Sequence, residues 1–443
     1  MSLEMTEKAA LRSAGRGAGT TTTWIALAAI LAGALVMRLA LLPLLRNKPT
    51  HDLRIFISWA QLLAQYGTHG LYQHVDTIDH YLVNYPPLYA LILGGVVAVY
   101  HALAHGTENL VLLGMLLKIP AIIADIAMCL FVFAIVRRWL DPRAALGAAA
   151  FAAFAPSTWP ISVLWGQVDS ICSAFMILSL ALVFWRRYTL AWIALALAVL
   201  VKPLPVVVVP LLFAAQLRDV GWSPRLLTGP VCALLVAYVT ALPFAPALAP
   251  LGVFRWLAGE YSAGASLSDS TAVNAYNIWT LAWPATSDSR VAFGLTLHAW
   301  GWLGFAAILI ATAWKLYGGL AQDRLRVAQE QLMTRAWFIV LVALFVLLTR
   351  MHERYILFAL ALAPLIWFCG KWERRSAVTL IVTFTICVTL VLGFYEHGWL
   401  RELPAVTHLL SIVNLCALAA VTASFFGWFR PARPVAAYSR NSG

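Results

Sequence analysis

Short polar stretches in an otherwise apolar chain carry the side chains that can do chemistry. His51-Asp52-Leu53-Arg54 opens a loop that also holds His69, His74, Asp76, Asp79 and His80 and closes on Asn84-Tyr85-Pro86-Pro87. A carboxylate such as Asp52 can take a proton from a hydroxyl nucleophile, a role worth about 10² to 10⁴ in rate. The same Asp52 is equally suited to capping a helix over Leu53 to Gln65. Arg350-Met351-His352-Glu353-Arg354-Tyr355 interrupts two apolar runs. Guanidinium groups bind phosphate oxygens through charge-assisted, often bidentate hydrogen bonds, and an imidazole can join them. A snorkelling interfacial turn would explain one arginine better than it explains a whole cluster.

Further polar stretches follow. Trp165-Gly166-Gln167-Val168-Asp169-Ser170 offers an indole, an amide and a carboxylate, although Asp169 or Ser170 would also serve as a helix cap. Lys202 stands in Lys202-Pro203-Leu204-Pro205, and Asn274-Ala275-Tyr276-Asn277-Ile278-Trp279 presents amides and rings of the kind that hold sugars, or else a plain interfacial segment. The histidines and aspartates between 69 and 80 fit no tight zinc spacing and read as solvated loop groups. Cys129, Cys172, Cys232, Cys369, Cys387 and Cys416 include no Cys-x-x-Cys pair and read as packing.

The elements that must position these groups are membrane helices. Of the 443 residues, 62% are hydrophobic and only 11% charged, less than half the usual charged share of about 25%. A soluble fold is excluded, and apolar stretches near the roughly 20 residues that cross a bilayer recur from Trp24 to Phe429. The expected architecture is all-α and polytopic, with about 11 to 13 segments: residues 1–23 as a cytoplasmic tail, 24–430 as one transmembrane domain with external loops 46–85 and about 249–290, and 431–443 as a second tail. The run Trp24 to Leu45 is too long for a signal-peptide core and lacks a small-residue cleavage site.

The net charge of +12 falls in clusters between apolar runs rather than along one basic face, so it argues for orientation and against nucleic acid. Basic clusters at 137–143, 186–187, 218–225, 315–335, 371–375 and 430–433 are assigned to the cytoplasm. The loops 51–85, 165–170, 249–290, 350–355 and 396–402 then face outward. One region conflicts: Pro86 to His105 and Val111 to Val136 look like two spans, which would carry Arg137-Arg138 outside. Either the first is re-entrant or the charge rule fails there. Prolines 203, 205 and 210 should break the run 190–217 into half-helices, with Lys202 at a cavity rather than in lipid. The stretch 318–334 reads as a cytoplasmic surface helix.

In order along about 300 residues, His51-Asp52 with Asn84-Tyr85-Pro86-Pro87, Trp165-Gly166-Gln167-Val168-Asp169-Ser170, Lys202-Pro203 and Met351-His352-Glu353-Arg354-Tyr355 resemble the GT-C superfamily of glycosyltransferases. The likeness is to bacterial relatives of the GPI mannosyltransferases and of the dolichyl-phosphate-glucose-dependent glucosyltransferases. The resemblance implies a bacterial inner-membrane enzyme with its active site outside. It implies a polyprenyl-phosphate sugar as donor, a glycan or glycolipid as acceptor, and inverting transfer of mannose or glucose without a metal or other cofactor. It implies Asp52 as the catalytic base. Arg54, Lys202, Arg350, His352 and Arg354 are expected at the donor phosphate, and Tyr85, Trp165, Gln167, Asp169, Asn274, Asn277 and Glu353 at the substrates. Asp52 departs from an Asp-Asp or Glu-rich signature, which leaves Asp76 or Asp79 able to share its role.

Two other classes compete. A lipid-diphosphate-dependent ligase or polymerase would also need outer arginines and a base. A transporter or flippase would be expected to show internal repeats around a charged midplane site, and no clear repeat is present.

Overall fold

The computed structural model describes residues 2–44, 46–284, 286–322, 325–394 and 404–428, with side chains from residue 21 on and without those of 393–394. The expected outer loop 396–402 and the tail 431–443 lie outside the described residues. Helix α1 (Ser2–Leu41) contains the apolar span Thr21–Leu41. It begins well before Trp24, where the sequence reading had a tail.

Helix α2 (His51–Leu71) lies in the segment expected as the first outer loop, and its buried Leu53, Phe56, Trp59, Ala60 and Leu63 recur at helical spacing. Then come α3 (Pro87–Ala104), α4 (Leu110–Leu116), α5 (Ile119–Trp139), α6 (Pro142–Phe154), a π-turn at Pro160–Trp165, α7 (Asp169–Phe184) and α8 (Tyr188–Val201). A 3-10 turn at Leu204–Val208 leads to α9 (Val209–Val220), α10 (Arg225–Ala241) and α11 (Pro250–Ser266). The segment between α11 and α13 continues through β1 (Ala272–Val273), α12 (Ile278–Ala282), β2 (Val291–Ala292) and β3 (Leu295–Thr296), the last two forming a short antiparallel hairpin. After it come α13 (Leu297–Gln322), α14 (Arg326–Leu347), β4 (Met351–His352), a 3-10 turn (Glu353–Ile356), α15 (Leu357–Leu360), α16 (Ala363–Ile366), α17 (Lys371–Phe394) and α18 (Pro404–Phe426).

Seven helices are long and apolar enough to cross a membrane by length and composition, and α7, α8 and α10 are shorter apolar helices. The chain is therefore an all-helical, multi-pass membrane protein. One end of the bundle gathers the basic clusters. Arg138 at the end of α5 meets Glu330 of α14 at 2.6 Å, Arg186 after α7 pairs with Asp219 of α9, and Arg335 of α14 pairs with Glu373 of α17. The opposite end gathers Asp52, Trp165, Asp169, Lys202 and Arg354.

That arrangement resolves the conflict at 86–138. Tyr89, early in α3, packs on Phe56 of α2 at 5.2 Å, Gly94 lies against Leu63, and Glu108, just past the end of α3, accepts from Gln61 of α2. Both ends of α3 thus stay beside α2. Only the α4–α5 passage runs to the basic end, so Arg137-Arg138 lie at the same end of the bundle as the other basic clusters.

The break in the run 190–217 takes the expected form. Lys202 has extended backbone, and Pro203 and Pro205 start the 3-10 turn before α9. The stretch 318–334, expected as a separate surface helix, is instead, at its described residues, the end of α13 and the start of α14: Met333 and Thr334 are buried, and the buried Glu330 meets Arg138 of α5.

Candidate active site

Asp52 stands in the first turn of α2, but Thr50 is the N-cap: its hydroxyl accepts from the Leu53 N–H at 3.4 Å and donates to the Trp165 carbonyl at 2.7 Å. The Asp52 carboxylate is thereby released for contacts across the fold. Its Oδ2 accepts the Trp165 indole N–H at 2.6 Å and lies 3.6 Å from Arg354 Nη1. Its side chain keeps 22% exposure, against 7% for Arg354, so it is the open member of the pair. Burial alone would raise the Asp52 carboxyl, but the Arg354 charge and the Trp165 hydrogen bond outweigh it and hold the group below the usual carboxylate value.

The Trp165 indole arrives by way of a tight turn. The π-turn ends at Trp165, Gly166 takes φ +80°, and a Cβ there would come within 3.2 Å of Leu53 Cδ1. Neither Asp169 nor Ser170 caps α7: Val168 is the N-cap, without a side-chain bond. Asp169, fully buried, instead accepts from Lys202 Nζ at 2.7 Å. Its second oxygen lies 3.9 Å from Arg354 Nε, and neither of those two atoms has a hydrogen-bond partner.

Aromatic faces frame the cations. Lys202 Nζ lies 4.5 Å from the Tyr355 ring centre and 5.6 Å from that of Tyr85, while the Arg354 guanidinium stacks on Trp165 and Tyr355 at 5.6 Å. Tyr85 donates to Gln167 Oε1 at 3.3 Å and packs on Phe56 and Trp59, which ties the Asn84–Pro87 corner to α2. His352 sits over Tyr355 at 5.1 Å. Burial and the Arg354 charge push its imidazole well below the usual histidine value, against the opposing pull of Asp52, so it is neutral at physiological pH. Glu353, buried, accepts from Arg354 Nη1 at 3.1 Å, and burial raises its carboxyl.

Asp52, Tyr85, Trp165, Gln167, Asp169, Lys202, His352, Glu353 and Arg354 thus share one site. Four expected residues do other things. Arg54 is exposed and faces a separate cavity, because it is two positions, about 200° of helix, from Asp52. Arg350 forms a bidentate pair with Asp288 at 2.7 and 3.0 Å, and its backbone N–H bonds Ser270, so it braces the outer segment against the 351–355 turn. Burial is outweighed by that pairing, which lowers the Asp288 carboxyl. Asn277 is buried, caps α12, and donates to the Phe345 and Leu348 carbonyls. Asn274 lies beside β1, which pairs in parallel with β4 and so holds His352.

Between α2 and α3, Asp76 accepts three backbone N–H groups, of Ile78, Asp79 and Tyr81, and Asp79 meets His51 at 3.0 Å. Asp76 is thus a turn brace. Sequence reasoning missed Asp288, which stands alone between serines with no periodic or motif signal. It also missed the helix-capping part of Thr50, for which a Thr before the first periodic residue was an available sign.

No protein-family profile matches the chain, and neither does any curated protein sequence. Among solved structures, the chain is similar to ArnT from Cupriavidus metallidurans bound to undecaprenyl phosphate, at 16% identity and a TM-score of 0.48, over 91% of this chain and 78% of that one. A likeness of that strength assigns neither a family nor an activity.

Proposed function

We propose that the chain is a glycosyltransferase of GT-C type that moves a hexose from a polyprenyl-phosphate donor to an acceptor hydroxyl at the outer face of the membrane. The observation that carries this reading is the ionised Asp52 carboxylate beside Arg354, partly open, in a site that also holds Lys202. Asp52 takes the acceptor's proton as that oxygen attacks the anomeric carbon. The bond from that carbon to the phosphate oxygen breaks, its electron pair leaves with the phosphate, and the sugar inverts. Arg354, with Lys202 and the neutral His352 N–H, stabilises the growing phosphate charge. Two cations thus do what a metal ion would otherwise do. Mannose and glucose both remain in the proposal.

Glu353 and Asp169 keep the cations in place rather than touching the sugar, and Tyr85, Trp165 and Tyr355 supply ring faces for it. The outward orientation rests on the basic clusters collecting at the opposite end.

The test is transfer by the purified protein from a panel of radiolabelled polyprenyl-phosphate sugars, with and without EDTA. Product from a monophosphate donor that EDTA does not diminish supports the reading. Product from diphosphate donors alone favours the ligase, and directional movement of a labelled lipid in liposomes with no covalent product favours the transporter.

A further inference from the structure

A cavity of about 490 Å³ opens on the far side of α2 from Asp52, between α2 and α4. Arg46, Arg54 and Lys118 line it, and no carboxylate does. Its walls are otherwise largely apolar, with Leu53, Ile57 and Met115 prominent. Lys118 is the informative member. It is only 2% exposed, and no carboxylate lies within ion-pair reach of it among the described residues. A buried ammonium without a partner is costly, and a chain this apolar could place Met there at no such cost. Everything about the site suits an anion that brings its own hydrocarbon: cations at one end, apolar wall along α4, and a position next to a membrane-spanning passage.

The cavity also abuts the catalytic wall. Leu53, which lines it, follows Asp52 in the chain, and the Lys118 stem packs beside Gly166. Gly166 follows Trp165, whose indole holds Asp52. An amphiphile seated on Lys118 therefore has its headgroup against the backbone that carries Asp52 and Trp165, on the side away from Arg354 and Lys202. The base has to contact the acceptor hydroxyl and the cations the donor phosphate, so an acceptor on the α2 side and a donor at Arg354 and Lys202 would flank the anomeric carbon, as an in-line displacement needs.

The geometry points to this cavity as the seat of the acceptor, and to the acceptor as a phosphate-bearing amphiphile held by Lys118, Arg54 and Arg46. The word acceptor rests on the transferase reading above; the binding of a phosphate-bearing amphiphile does not. Two measurements on the full-length protein separate them. In the first, binding of dioctanoyl phosphatidate, dioctanoylglycerol and inorganic phosphate is followed by titration calorimetry in a neutral detergent, for the wild type, Asp52→Asn, Lys118→Met and Arg54→Gln.

The expected result is phosphatidate binding by the wild type and by Asp52→Asn, weaker by about ten-fold or more in Lys118→Met, as loss of one charged hydrogen bond implies, and weaker by a few-fold in the exposed Arg54→Gln. Lys118→Met should melt no lower than the wild type, since it removes an unpaired buried charge. Equal phosphatidate affinity in the wild type and both cation variants overturns the site. Dioctanoylglycerol binding as tightly as phosphatidate removes the role of charge, and inorganic phosphate binding as tightly removes that of the chain; either result overturns the proposal.

In the second measurement, transfer by Lys118→Met should show a raised KM for acceptor and an unchanged KM for donor. A raised donor KM instead assigns the cavity to the donor and overturns the acceptor role. Absence of any transfer by the wild type counts against the transferase reading, and the phosphatidate comparison still decides the cavity.

Discussion

Replacing Arg354 with Gln should move the ionisation of Asp52, and the size of the movement follows from the structure. The guanidinium lies 3.6 Å from the carboxylate. Two unit charges at that separation interact by about 1 kcal/mol with the dielectric constant of water and by about 5 kcal/mol at an effective value of about 20. Removing the cation therefore raises the Asp52 carboxyl. Asp52 is partly open, which favours the lower half of that energy range. Its carboxyl is depressed in the wild type, so the ionised base persists to low pH.

In Arg354→Gln the acid limb of the kcat/KM profile should shift to higher pH. Arg354→Lys keeps the charge and loses the planar fork, so its limb should stay nearer the wild-type position while donor KM rises. The assay is the pH dependence of transfer under donor-limiting conditions, with product counted directly. An acid limb that stays in place in Arg354→Gln, in an enzyme still turning over, would refute the pairing of Asp52 with Arg354 as the control on the base.

Lys202→Met leaves the buried Asp169 with only the longer Arg354 contact and should lower stability by about 3 kcal/mol, read from denaturant or thermal unfolding. Adding Asp169→Asn should restore most of that stability without restoring activity, and a double variant as unstable as the single one would contradict the pair. Arg350→Met should lower the melting temperature through loss of the Asp288 pair and leave donor KM within about two-fold, since a strut holds no ligand. Gly166→Ala forces a side chain into a left-handed backbone and toward Leu53, so kcat should fall more than either KM as the Trp165 contact to Asp52 loosens.

Much of the site was legible because chemistry-bearing residues are scarce in an apolar chain. Asp52, Trp165, Asp169, Lys202 and Arg354 are separated by up to 302 positions and still meet at one end of the bundle. What order along the chain could not give was partnership. Arg350 and Arg354 are four apart and look alike in sequence, yet one faces Asp288 and the other Asp52, because Arg350 carries φ +62° at the turn that separates them. Arg54 looked like a neighbour of Asp52, but helical geometry turns it away.

The fold was legible in class and in its breaks, since length, hydropathy and proline fix those locally. The course of α3 was not, because its composition allows a crossing and only its packing along α2 excludes one. A buried network of Arg38, Asp125 and Ser162, with bonds of 2.8 and 2.6 Å between α1, α5 and the π-turn, was also overlooked. Its sign was available: a lone charge in each of two apolar runs implies a partner.

The most direct test of the account is single-turnover transfer by Asp52→Asn with donor binding measured in the same preparation. The account predicts donor affinity within a few-fold of the wild type and a transfer rate lower by about 10² or more, as loss of a general base requires. Transfer at the wild-type rate, with the protein folded and donor bound, would contradict it.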